Sequence, residues 1–138
     1  MTNSYKSPLS TNNECFISTH IVGGPGENTP LEYVLNAGAK NVNLYQSYTS
    51  APNISLIKLS VPLSTAPNGP LLITIKRTNN REPITDIITT GQTKIYEVEN
   101  FNSLIVTNKT PDAVIFFTLF IQNTFCICSN NDNSSNSD

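Results

Sequence analysis

Apolar and polar residues alternate with a period of two along most of this chain, the signature of half-buried β-strands. Over 54–63, Ile57, Leu59 and Val61 share one face, and Lys58 and Ser60 the other. Over 71–78, Ile73 and Ile75 point inward while Thr74 and Lys76 point outward. Over 94–99, Tyr96 and Val98 face in while Ile95, Glu97 and Glu99 face out. Further strands are predicted over 15–22, 31–36, 41–49, 84–90, 104–107 and 113–128. Turn formers separate them: Gly23-Gly-Pro-Gly26, Ala37-Gly38, Ala66-Pro-Asn-Gly-Pro70, Asn79-Asn80 and Gly91-Gln92. No stretch keeps an i, i+3, i+4, i+7 apolar stripe with helix caps. Roughly eight or nine short strands at spacings of about ten residues predict an all-β protein, an antiparallel jelly-roll β-sandwich of about eight strands. An immunoglobulin-type sandwich is the second architecture, weakened by the absence of Trp and of a mid-chain cysteine pair.

The ends read differently. Residues 1–14 are polar and aperiodic and predict a flexible N-terminal arm. Residues 129–138 form a polar low-complexity run and predict a disordered tail. The sandwich domain is expected over 15–128.

The segment 113–128 is nearly all apolar on both faces. Val114, Phe116, Thr118 and Phe120 make one row; Ile115, Phe117, Leu119 and Ile121 make the other. A sandwich strand usually turns a polar face to water. Something must therefore cover the second row. Two covers are expected, a loop or arm of the chain itself, or a sister molecule that makes Ile115, Phe117, Leu119 and Ile121 a subunit interface.

Composition narrows the chemistry. The chain has 138 residues, a net charge of −2 and only 13% charged residues, with Asn, Ser and Thr filling about a third of it. Eight Lys and Arg scattered singly make no basic stripe, so no nucleic-acid partner is expected. No apolar run approaches the ~20 residues of a membrane helix, so no membrane partner is expected. The N-terminus shows no apolar secretory core, yet the polar, charge-poor surface resembles that of an exposed protein. One His, His20, rules out His-based triads and multi-His metal sites, and its expected role is structural. Glu97 and Glu99 share a strand face and read as a solvated edge. Gly23-Gly-Pro-Gly26 lacks a following helix and the Lys-Ser/Thr of a phosphate loop. Asn53-Ile-Ser55 and Asn108-Lys-Thr110 fit a glycosylation pattern that has no use without export. No nucleophile–base pair can be named, so no catalytic residue, cofactor or metal is expected.

Three cysteines are the remaining chemistry: Cys15, Cys126 and Cys128. In an extended strand Cys126 and Cys128 point the same way about 6.6 Å apart, too far for the ~3.8 Å Cβ separation of a disulfide. One reading pairs Cys15 with one of them and leaves the other thiol for a neighbouring chain. A second keeps all three reduced. A zinc site would need His20 as fourth ligand, on weak spacing.

The C-terminal half resembles a known family. Thr90-Gly91-Gln92-Thr93 leads into Tyr96-Glu-Val-Glu-Asn-Phe-Asn-Ser-Leu-Ile-Val-Thr107 and then a last apolar strand ending in cysteine. This is similar to the endospore appendage core family of pilus-like spore fibres. Its pattern is a Gly-Gln turn, a strand ending Val-x-Asn/Gly, then Asn-x-Ile/Leu-x-Val/Ile and a Cys-bearing final strand. The resemblance implies a jelly-roll subunit whose N-terminal connector docks into the next layer. Copies of itself and related appendage subunits would be its partners, joined by sheet-edge contacts and intermolecular disulfides, with spore outer-layer proteins as further partners. It also implies synthesis in the mother cell and a place on the spore surface or exosporium without a signal peptide. Residues 1–14 contain no cysteine where fibre-forming members carry one or two, which fits a minor, terminal or anchoring member. The competing expectation is a carbohydrate- or surface-binding jelly-roll module, lectin-like or from a virion surface, using Tyr45, Tyr48, Asn41, Asn43 and Asn53.

Overall fold

A computed structural model describes residues 13–23, 31–63 and 70–130, giving only the backbone of 13, 14 and 127–130. Nine strands run in chain order: β1 (Asn13–Val22), β2 (Leu31–Leu35), β3 (Val42–Gln46), β4 (Asn53–Ser60), β5 (Leu71–Arg77), β6 (Ile84–Ile88), β7 (Thr93–Glu99), β8 (Phe101–Asn108) and β9 (Ile115–Asn130). The expected connector and tail fall on 1–12 and 131–138, outside the described residues. Residues 13–14 and 129–130 are instead strand, because the backbone ladder between Asn13 and Asn130 needs no apolar side chain.

Two antiparallel sheets face each other. One runs β1-β9-β4-β7, with β2 also on β9; the other runs β3-β8-β5-β6. β1 and β2 lie end to end along the same side of β9, since Val22 pairs with Ile121 and Leu31 with Leu119. Taken as one interrupted strand, they reduce nine strands to the eight of a jelly roll, all antiparallel, as the alternation predicts. β5 and β6 form a hairpin through Asn79 (φ 65°) and Asn80 (φ 57°), residues that tolerate the left-handed region. Between the sheets, Gly91 (φ 81°) turns β6 into β7, with the Gln92 amide donating to the Thr89 carbonyl at 3.0 Å.

The core is aliphatic. Ile57 and Leu59 from β4, Leu71, Ile73 and Ile75 from β5, and Leu104 and Val106 from β8 are fully buried. Ile115, Phe117, Leu119 and Ile121 complete it, each at most 1% exposed. This corrects the expected subunit interface: that row is dried by its own sandwich. The other row faces out, with Phe116 52% and Val114 38% exposed. The reason is visible further along β9. The Phe116 row continues through Thr118, Gln122 and Thr124, whereas the Ile115 row carries no polar residue before Asn123. The less polar row takes the core.

Asparagines hold the corners. β7 passes to β8 through one residue, Asn100 (φ 57°), which carries the chain from one sheet to the other. Asn53 clamps that corner. Its carboxamide accepts from the Phe101 amide at 3.2 Å and donates to the Phe101 carbonyl at 3.4 Å, and its carbonyl accepts from the Asn100 amide at 2.7 Å. Ser55 Oγ lies 2.8 Å from Asn53 Oδ1 and 2.5 Å from the Asn123 carboxamide, which reaches the Tyr45 hydroxyl at 2.8 Å. One hydroxyl proton cannot serve two oxygens. The network closes when the Asn123 nitrogen donates to Ser55 and its oxygen accepts from Tyr45. At the opposite end, Asn108 donates to the carbonyls of Asn36 (2.9 Å) and Ala113 (2.8 Å) and accepts from the Thr110 amide (2.8 Å). Both glycosylation-pattern asparagines are thus buried and bonded.

Candidate assembly site

β9 outruns its neighbour on one side. Its ladder with β4 ends at the Phe125–Asn53 pair, but its ladder with β1 continues to Asn130–Asn13. Beyond Phe125 the two strands form a ribbon, and among the described residues nothing pairs with it on the β4 side. The ribbon places the cysteines. Cys15 lies directly across from Cys128, and Cys126 lies across from Ile17. Cys126 is exposed and free. It sits at the step where β4 begins, in an open apolar groove with Ile17, Pro52, Ile54, Thr124 and Phe125. Ile17 is 77% exposed. His20 packs its ring on Phe125, with ring centroids 5.1 Å apart. Among the described residues no group of three His, Cys, Asp or Glu could hold a metal ion.

Two of the residues expected for carbohydrate binding are engaged in the fold and one stands exposed. Tyr45 stacks on Phe101 at 5.0 Å and Asn53 is buried in the corner clamp, while Tyr48 is 91% exposed. Glu97 and Glu99 stand exposed on β7, the end strand of its sheet, as an edge pair should.

Sequence reasoning missed a polar clamp across that side of the sandwich. Lys94 on β7 reaches both carboxylate oxygens of Asp86 on β6, at 3.1 and 3.2 Å, and the Tyr96 hydroxyl donates to the same carboxylate at 2.8 Å. The Tyr96 hydroxyl, the Ile87 amide and Lys94 all favour the ionised form, so the Asp86 pKa lies below its ordinary 3.8. Burial and the bond to Asp86 push the Tyr96 hydroxyl above its usual range. A lowered folded-state pKa adds stability above the unfolded value and loses it as pH falls through the folded one. Asp86→Asn will therefore lower the urea midpoint at pH 7 and converge on wild type as the pH falls through the lowered folded-state pKa of Asp86, where both carry a neutral side chain. The difference will be small, because the pair is a third exposed.

No family model matches the sequence, and no curated protein matches it. Among solved structures, a chain from Bacillus endospore appendages, described as "a novel family of disulfide-linked pili", has a TM-score of 0.58 with 17% identity over 83% of this chain and 94% of that one. The two chains share a fold. At that identity the likeness shows the fold alone, and the chemistry rests on the residues described above.

Proposed function

We propose that this chain is a structural, self-assembling subunit of an endospore appendage rather than an enzyme. Its place would be the spore surface, and its partners copies of itself, related appendage subunits and spore outer-layer proteins. The observation that carries the reading is the free, exposed Cys126 on a ribbon that, among the described residues, is paired on one side only, in a fold shared with a disulfide-linked pilus chain. In this reading Cys15 and Cys128 close a disulfide within the chain. Directly opposed residues of an antiparallel pair have Cα atoms about 4.5–5.5 Å apart, inside the range a disulfide spans. Cys126 then bonds a neighbour. One thiol per chain joins only two chains, so rings or fibres also need the sheet edges. That division fits a minor, terminal or anchoring subunit.

Negative-stain imaging and size exclusion of the purified chain, in oxidising and reducing buffers, test this. Rings, filaments or higher oligomers are expected, with a reductant-sensitive fraction that Cys126→Ser removes. A strict monomer at high micromolar concentration in both buffers overturns the assembly reading.

A further inference from the structure

β1 is held by little besides its backbone. It stands at the end of its sheet, and among the described residues its ladder is with β9 alone. No side chain from Cys15 to Val22 is buried, and Phe16 and Ile17 are more than half exposed. Val22, at the far end, packs against the core, and His20 lays its ring on Phe125. Lifting β1 away therefore uncovers little apolar surface, and the ten-residue ladder is its main attachment. β2 pairs with β9 separately, from Leu31 to Leu35. β1 can leave without breaking another pairing.

The register puts a lock at one end of that ladder. Cys15 and Cys128 form the third rung from the Asn13–Asn130 end. With the two bonded, as in the assembly reading, peeling from that end stops at the third rung, and Val22 holds the other end. Reduction removes the stop and leaves the first strand free to fray from its start.

What β1 covers is a pairing edge. Its ladder occupies β9 from Ile121 to Asn130, whereas β4 pairs with β9 only as far as Phe125. When β1 leaves, 121–125 become a bare sheet edge, and 126–130 lose the ladder described for them. A bare edge is a template for another strand. The strand that fits it in length and register is β1, from this chain or from a second copy. Eight residues separate Val22 from Leu31. That is a tether of at most roughly 26–29 Å, which keeps a departing β1 within reach of an adjoining sandwich.

We propose that the Cys15–Cys128 disulfide controls a strand exchange: once it is reduced, β1 leaves β9 and the β1 of a second copy takes the vacated edge in the same register. This rests on the disulfide of the assembly reading and deepens it. A dithiol breaks the S–S bond by giving it two electrons and two protons, and departs as its own cyclic disulfide. Glutathione disulfide re-forms the bond by accepting two electrons and two protons, and departs as two glutathione molecules. Closure before association fixes each β1 on its own β9. Closure after association fixes it on the neighbour's, and two copies that each give and receive a strand make a closed pair.

Cys126→Ser isolates the exchange by removing the outward thiol. In this variant the β1 amides should exchange hydrogen at least about tenfold faster after dithiothreitol, while the β5 amides, the reference for global unfolding, keep their protection. Reduced at high micromolar concentration and reoxidised with glutathione disulfide, the variant should give a disulfide-linked dimer. Reoxidised when dilute, or never reduced, it should stay monomeric. Peptide mapping of the dimer should find Cys15 joined to Cys128 and neither Cys15–Cys15 nor Cys128–Cys128, because exchange rebuilds the native rung and random collision does not. Unchanged β1 amide exchange on reduction, or β5 amides as fast as those of β1, overturns the lock. Monomer alone after concentrated reoxidation, or a mixture of all three pairings, overturns the strand exchange. None of these outcomes involves Cys126, so the appendage reading stands or falls separately, on the wild-type imaging above.

Discussion

Phe117→Ala will cost the fold about 3–5 kcal/mol, and Phe116→Ala, one residue earlier, about 1 kcal/mol or less. The two side chains are identical and adjacent on one strand, so propensity and composition cannot separate them. Burial does. Phe117 is 1% exposed and stacks on Tyr33 at 5.3 Å within the aliphatic core, whereas Phe116 is half exposed across from Val34. Removing the Phe117 ring opens a cavity between two sheets whose backbones are fixed by ladders and cannot collapse onto it. Against a typical total of about 5–15 kcal/mol, such a loss brings a small domain close to unfolding. Urea denaturation of both variants, read by fluorescence and circular dichroism, measures the difference. Equal losses would mean that β9 is covered on both faces and that the outer row is not solvent-facing.

That pair also shows where the sequence was legible and where it was not. Period-two alternation located the strands of the described residues within a few positions, because most of them turn a polar face to water. β4, β5 and β7 even revealed which face is buried. The same rule failed on β9, where both rows are apolar over 114–121, and phase is decided by Thr118, Gln122 and Thr124 lying in one row. β8 was read as 104–107 but begins at Phe101, because Asn100 makes the corner without Gly or Pro. The cysteines illustrate a different limit. Their spacing excluded a Cys126–Cys128 bond, but only the β1–β9 register places Cys15 opposite Cys128. The Asp86–Lys94–Tyr96 clamp joins positions in two sheets, and no local pattern announces a contact across a sandwich.

The asparagines were the least legible feature. In an Asn-rich chain a buried Asn looks like any other, and Asn108 was noted only as part of a glycosylation pattern. Its position makes it a structural keystone of one end of the sandwich. Asn108→Ala will cost about 1–3 kcal/mol, since it leaves the buried Leu35 carbonyl and the part-buried carbonyls of Asn36 and Ala113 without their donor. Asn108→Asp is the sharper probe because it keeps the shape. An ionised carboxylate there has no proton for either carbonyl and faces their negative ends, so the folded state favours the protonated acid and raises its pKa. The sign is then opposite to that at Asp86. A raised folded-state pKa gives stability that is present below the unfolded value, near about pH 4, and lost as pH rises through the folded one. The deficit of Asn108→Asp relative to wild type will therefore be least in acid and grow toward neutrality, while that of Asn108→Ala will not change with pH. Urea midpoints for the three proteins between pH 3 and 7 decide it. Parallel curves for the two variants would mean that the Asn108 amide donates nothing to those carbonyls and that this end of the jelly roll is held by its backbone alone.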